Sequence, residues 1–170
     1  MRTFFDVLGV PRAYHQPAGE LERRFHALSR ELHPDRFAKA APRARVEALQ
    51  KTTELNDAYR VLKDDVKRAE YLIKLEGFDV ADEKSASVKP DPALLAEMME
   101  LNEQLSDGNQ QALARLTDDR RALALRSVDD AFYAFEKGDR SVLPKIAQSL
   151  VAIRYYTRFG ERAAGTPEEL

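Results

Sequence analysis

Histidine is the side chain best suited to move a proton or hold a metal near neutral pH. This 170-residue chain has three, His15, His26 and His33. His33 stands in the run "SRELHPDRFAKAAPR", Ser29 to Arg43, where a helical pattern stops at Pro34. His26 and His33 are seven apart and could share a helix face. Two imidazoles without a third ligand make a poor metal site, and His15 lies far off in a loop. A lone His33 could still be a general base, but no partner accompanies it. The chain shows no serine in a glycine-rich elbow, no phosphate-cradling glycine loop and no carboxylate pair in an apolar pocket. It has no cysteine, which removes disulfides, thiolate zinc sites, iron–sulfur ligation and a cysteine nucleophile. The reading is a chain with no catalytic residue, no metal site and no cofactor of its own.

The elements around these residues are helical nearly throughout, with no strand-period segment. A short first helix covers about residues 3–8, with Phe4, Phe5 and Leu8 on one side. A second runs from about Ala18 to Leu32, its core stripe being Leu21, Phe25, Leu28 and Leu32. Arg23 and Arg30 share a different face. A loop follows from His33 to about Pro42. As local structure, His33-Pro34-Asp35 reads as helix termination, imidazole favouring the negative end of the helix dipole and proline forbidding continuation. A third helix, about 43–63, carries the stripe Ala48, Thr52, Leu55, Tyr59 and Leu62. A fourth, about 65–76, presents Ala69, Leu72 and Leu75 and stops at Gly77. Residues 77–91 are acidic, contain serine and run into two prolines, Pro90 and Pro92, so they read as a solvated linker. Three longer helices are expected at about 92–106, 109–137 and 141–159, joined by turns at Asp107-Gly108-Asn109 and Lys137-Gly138-Asp139. Ser141 is the expected N-cap of the last, with Pro144 tolerated in its first turn. Short connections make this an antiparallel three-helix bundle. The expected fold is all-α, with domains 1–76 and 92–170 and the linker 77–91 between them.

Charge divides the same way. Residues 1–76 carry 15 Lys/Arg and 12 Asp/Glu, whereas residues 77–170 carry 12 and 17. Residues 20–45 hold seven basic and four acidic side chains, and residues 77–107 hold two and eight. Two halves of opposite sign suggest two different partner surfaces. A formal net charge of −2 speaks against a general nucleic-acid or membrane binder. No apolar run approaches the roughly 18 residues that span a bilayer. The start, "MRTFFDVLGVPRAY", has neither signal-peptide nor transit-peptide character, which leads to the expectation of an unprocessed cytoplasmic protein.

The tripeptide gains meaning from its surroundings. "FFDVLGV", "LSRELHPDRF", "LNDAYRVL" and "KRAEYLIKLEG" resemble, in order, the successive helices of a J domain, the activating module of co-chaperones for DnaK-class ATPases. The resemblance covers residues 1 to about 76. It implies a helical hairpin with flanking short helices. It also implies that His33, Pro34 and Asp35 contact the chaperone and trigger ATP hydrolysis, and that Arg23, Arg24, Arg30, Arg36 and Lys39 form the basic docking surface.

"RAEYLIKLEGFDV", leading into the acidic linker and the bundle, resembles the HscB family of iron–sulfur co-chaperones, of bacterial type because the tetracysteine module of animal relatives is missing. In helix 92–106, Leu94, Met98, Leu101 and Leu105 form one apolar stripe. Leu95 and Met99 form a second row beside it, flanked by Glu100 and Glu103. From pattern alone this second row is equally a wide core stripe or an apolar patch rimmed by charge. The family resemblance favours the patch. It implies that Leu95, Ala96, Met99, Glu100, Glu103 and Tyr155 bind an IscU-type scaffold protein, which is delivered to the DnaK-class chaperone HscA. Two positions depart from the family pattern. Ala96 falls where a larger apolar residue is usual. Asp65 falls where a proline is usual, and is expected to cap the fourth helix instead. Two rivals stand beside this reading: a general J-domain co-chaperone with another client, and a small helical enzyme using His33 as base.

Overall fold

The structure is a computed structural model that describes residues 2–80, 87–106 and 108–165, with the side chain of Pro34 also outside the description. The chain is helical as expected, and no strand occurs among the described residues. Helices α1 (Phe4–Leu8), α2 (Glu20–Glu31), α3 (Pro42–Leu62) and α4 (Asp65–Leu75) are followed by α5 (Pro92–Ser106), α6 (Gln110–Glu136) and α7 (Leu143–Ala163). Two compact units result, Met1–Leu72 and Ile73–Leu170. The boundary falls inside α4.

In the first unit, α1 is only five residues long and depends on its ends. Thr3 accepts from the Asp6 amide and Asp6 reaches back to the Thr3 amide, a reciprocal capping box. The Thr3 backbone N–H, then its hydroxyl, hold the Asp6 carboxyl below the usual carboxylate range. At the other end Gly9 takes φ +65, a left-handed conformation natural to glycine.

Helix α3 is central. Leu55, Ala58 and Leu62 are buried together with Phe5 and Leu8 of α1 and Ala69 and Leu72 of α4. Phe4 stacks on Tyr71 with ring centroids 4.7 Å apart. Phe25 of α2 stacks on Tyr59 of α3 at 4.1 Å. The α2 stripe differs from expectation: no residue of α2 is fully buried, and Leu21, Phe25, Leu28 and Leu32 are half-buried. The reason is position. Helix α2 forms one arm of a hairpin and, within the first unit's described residues, leans only on α3 and α1.

Three local features differ from the sequence expectation. Helix α2 starts at Glu20 because Gly19 adopts φ +71 before it. The loop after α2 contains a 3-10 turn, Pro34–Phe37. Asp64, not Asp65, caps α4: its carboxylate accepts from the Lys67 amide at 2.9 Å. Asp65 instead pairs with Arg68. Arg68 is buried, and its guanidinium also donates to the carbonyls of Tyr14 (2.8 Å) and Leu62 (2.7 Å). That arginine takes over the tying of the α3–α4 turn.

In the second unit the described parts of the 77–91 segment make contacts of their own, while Gly77, Ser87, Lys89 and Asp91 stay exposed. Val80 is buried, Lys74 pairs with Asp79 at 2.9 Å, and the Asp79 amide donates to Ser87 Oγ at 2.8 Å. The carbonyl of Lys89 accepts from Gln148 at 3.0 Å. Residues 81–86 and Asp107, part of an expected turn, lie outside the described residues. Asp91 accepts from the Ala93 amide at 2.8 Å and so caps α5 with Pro92 in the first turn. Helices α6 and α7 pack along their lengths, approaching closely at Gly160, where an added Cβ would sit 3.2 Å from Thr117 Oγ1. Helix α7 begins at Leu143 with Pro144 in its first turn, and runs four residues past the expected end. Ser141 is not its cap. Asp139 accepts from both the Ser141 amide (2.9 Å) and hydroxyl (2.6 Å), which orders a 3-10 turn, Arg140–Val142, ahead of α7. Those same bonds lower the Asp139 pKa.

Candidate functional site

Two sites were expected from the sequence, one in each unit, and each is described by itself. The first is the turn after α2. His33 does not finish α2, whose C-cap is Leu32. It begins the following 3-10 turn. Its Nδ1 accepts from the Asp35 amide at 3.3 Å, and its carbonyl accepts from the Arg36 amide at 3.0 Å. An imidazole here does the work that Asn or Asp usually does at an N-cap. Pro34 follows at the first position, where its missing N–H costs nothing. The tripeptide is thus a self-capped corner. The side chains of His33 and Asp35 stay out in solvent, at 59% and 91% exposure, with Nδ1 to Oδ2 at 3.5 Å.

The basic residues divide. Arg30, Arg36 and Lys39 are exposed within a few residues of the corner. Arg23 is exposed but pairs with Glu20 at 2.7 Å, and lies about 15 Å back along the helix from His33 at 1.5 Å per residue. Arg24 points elsewhere. Its Nε donates to the Leu8 carbonyl at 3.1 Å and its Nη2 to the Gly9 carbonyl at 3.0 Å. It caps the C-terminus of α1.

The second site is the outward side of α5. Leu94, Met98 and Leu101 are buried. Leu95 is 42% exposed and Met99 67%. Ala96, Glu100 and Glu103 are exposed with them. Leu95, Met99 and Glu103 are spaced i, i+4, i+8, so apolar surface runs directly into carboxylate. Tyr155 of α7 is half-buried and lines a cleft of about 200 Å³ with Met98, Asn102 and Phe159. Asn102 follows Leu95 and Met99 at i+7 and i+3, whereas neither Leu95 nor Met99 lines that cleft.

A polar tie that joins α5 to its neighbours was not singled out in the sequence. Tyr156 is buried and its hydroxyl donates to Glu97 Oε2 at 2.7 Å. Arg120 Nε meets Glu97 Oε1 at 3.3 Å. One carboxylate thus joins α5 to both α6 and α7. These residues are 59 and 23 positions from Glu97, beyond the reach of local spacing. The Asp91-Pro92 cap, by contrast, could have been read from sequence.

The three histidines do not converge. His26 lies 3.6 Å from Glu22 and His15 packs edge-on against Tyr14. Among the described residues there is no cluster of three or more His, Cys, Asp or Glu that could hold a metal ion, and no helix is long and apolar enough to cross a membrane.

Comparison with known proteins matches two family models along the chain. Residues 3–71 match the DnaJ domain, and residues 90–164 match the HSCB C-terminal oligomerisation domain. A co-chaperone protein HscB homolog of Vibrio cholerae serotype O1 (strain M66-2) is 40% identical over 103 residues, which is 61% of this chain and 59% of that protein. One from Vibrio atlanticus (strain LGP32) is 38% identical over 132 residues, 78% of this chain and 68% of that protein. The solved chaperone HscB from Vibrio cholerae superposes with a TM-score of 0.74 at 26% identity, covering 96% of each chain. Human co-chaperone protein HscB shares the fold, with a TM-score of 0.77 at 24% identity over all of this chain and 84% of the human one. Carrying both modules in this order and this degree of identity, the chain belongs to the HscB family of J-domain co-chaperones.

Proposed function

We propose that this protein is an adaptor in iron–sulfur cluster assembly. It binds an IscU-type scaffold through α5 and delivers it to the DnaK-class chaperone HscA, whose ATPase it stimulates through the His33-Pro34-Asp35 corner. Residues 1–76 serve the chaperone and residues 92–170 the scaffold, with 77–91 between, and the protein acts in the cytoplasm. The observation that carries the reading is the contrast on one helix. Leu94, Met98 and Leu101 are buried, while Leu95 and Met99 stand 42% and 67% exposed beside Glu100 and Glu103. The buried row suffices to hold α5, so the exposed row is available to a partner. A compact apolar spot rimmed by carboxylates suits a protein client.

The corner supports the other half. A solvent-facing turn with exposed cations at Arg30, Arg36 and Lys39 presents donors to an acidic surface. Arg23 extends that surface along α2, and Arg24 supports it by holding α1 in place.

The deciding experiment is HscA turnover with this protein, with the scaffold, and with both. Stimulation by this protein, raised further by scaffold, is expected. No stimulation rules out the chaperone assignment. Stimulation without any binding of purified scaffold leaves a J-domain co-chaperone with a different client.

A further inference from the structure

In the cleft of about 200 Å³ between α5 and α7, Arg158 and Arg162 bring positive charge to an otherwise uncharged lining. Both arginines are exposed, Met98 and Phe159 are buried, and Tyr155 is half-buried. The floor is therefore apolar and the mouth cationic. The α7 residues Tyr155, Arg158, Phe159 and Arg162 are spaced i, i+3, i+4 and i+7, so they share one helix face. Arg162 donates to Asn102 Oδ1 of α5, and its guanidinium lies 5.2 Å from the centre of the Phe159 ring. A guanidinium carries five N–H donors, so that bond leaves Arg162 with others to offer.

The cleft has a fixed place relative to the exposed apolar row of α5. At about 100° per residue, Asn102 lies about 60° from Met99 on one side of the helix, and Glu103 about 40° on the other. Carboxylates therefore border the row on one flank, and the cleft with its guanidiniums borders it on the other. Arg158 and Arg162 stand one turn apart, where like charges repel. A carboxylate set between them offsets that repulsion and accepts charge-assisted hydrogen bonds. Its methylene groups would rest on Met98 and Phe159, whereas a cationic side chain is repelled at the mouth. The space of about 200 Å³ admits one side chain, while small-molecule sites usually run to about 300–1,000 Å³.

We propose that this cleft is an acid-reading subsite, which takes one Asp or Glu side chain of the protein docked on α5 and holds it between Arg158 and Arg162. The inference rests on the reading that α5 binds an IscU-type scaffold, and adds the polarity of the match. The scaffold must present basic groups toward Glu100 and Glu103 and an acidic one toward α7. Docking in the reverse sense sets like charges together on both flanks. The two borders thus select one orientation.

Calorimetric titration of purified IscU-type scaffold into the full chain tests it, at about 50 mM and about 300 mM salt. Arg158→Gln with Arg162→Gln should bind at least about tenfold more weakly than the parent at low salt, and its affinity should respond less to salt. Arg158→Glu with Arg162→Glu should bind more weakly still, and one acidic-to-Lys substitution on the scaffold should restore it. Arg158→Gln alone gives the same direction of change should a double variant fold poorly. Asn102→Ala breaks the bond to Arg162 but keeps both charges, and should bind within about twofold of the parent. The subsite is overturned by arginine variants that bind like the parent or keep its salt response. It is equally overturned by an equal loss in Asn102→Ala, or by a scaffold series in which no acidic-to-Lys change restores the Glu variant. A parent that binds no scaffold, or a Leu95→Ala, Met99→Ala variant that binds it normally, defeats the α5 reading itself, and the subsite falls with it.

Discussion

The phenol of Tyr156 donates to Glu97 at 2.7 Å, across 59 positions of sequence. The other oxygen of Glu97 meets Arg120, so the three helices of the second unit share one carboxylate. This contact supplements the buried row of α5 in holding the helix against α6 and α7. Burial first, then the bond to Glu97, push the Tyr156 pKa up to about 12. Its neutral form is favoured by folding, so its contribution is fully present below the ordinary phenol value near 10. That contribution is lost as pH rises from about 10 toward about 12, where the unfolded chain ionises first. Tyr156→Phe is expected to cost about 1–2 kcal/mol at neutral pH and to flatten the alkaline decline. Denaturant melts of both proteins at pH 7 and above pH 10 check it. A variant with the parent's stability and the parent's alkaline decline would show that the bond contributes nothing.

Arg24 and Arg23 are adjacent, yet they do different work. Arg24→Ala should destabilise the first unit by about 1–3 kcal/mol, since two helix-end carbonyls lose a charged donor. Arg23→Ala and Arg30→Ala should stay within about 0.5 kcal/mol. Gly9→Ala should exceed both. It adds about 1–2 kcal/mol for a left-handed alanine, and its Cβ would fall 2.1 Å from Arg24 Nη2, displacing the guanidinium. Hydrogen exchange of the α1 amides reports the loss directly. Unchanged protection in Arg24→Ala would return that residue to the docking surface.

The contrast between these arginines shows where sequence reading stops. The buried row of α5 was legible because a single helix repeats its environment every 3.6 residues, and Leu94, Met98 and Leu101 obey that period. Neighbours such as Arg23 and Arg24 are separated by about 100° of rotation, and only the placement of α1 decides which one is used internally. The α2 stripe had the right period but the wrong depth, because depth depends on how many layers cover a helix. Asp64 and Asp65 were both plausible caps. The buried Arg68, 54 positions from the Tyr14 carbonyl it binds, settles the turn with Asp64 as cap. The His33 corner was legible in outline as the end of a helical run. Its own capping bond to Asp35 was not, since histidine is rarely read as a cap.

That capping bond makes a discriminating pair of substitutions. His33→Asn keeps an acceptor at the N-cap position and should preserve the turn. His33→Gln removes the ring and lengthens the arm. Both should leave the overall fold and scaffold binding intact, because the side chain is exposed. If the imidazole itself contacts the chaperone, both variants lose ATPase stimulation. If His33 serves only to shape the corner, Asn retains most of the stimulation and Gln does not. Steady-state turnover of HscA with each variant separates the two, and normal stimulation by both would remove His33 from the docking assignment.

The two rows of α5 give the sharpest test of the client surface. Truncating an exposed anchor at an interface typically costs about 1–3 kcal/mol of binding, whereas truncating a core leucine costs about 2–5 kcal/mol of stability. Leu95→Ala with Met99→Ala should therefore melt near the parent, bind scaffold at least tenfold more weakly, and still stimulate the chaperone at a basal level. Leu94→Ala or Leu101→Ala should melt early, because those side chains are 8% and 4% exposed and leave a cavity behind. Glu100→Lys with Glu103→Lys should weaken scaffold binding without early melting, since both are exposed. Calorimetric titration of scaffold into each folded variant, paired with its thermal melt, reads both quantities. A double variant at Leu95 and Met99 that melts normally and binds scaffold like the parent would move the client to another face of the second unit.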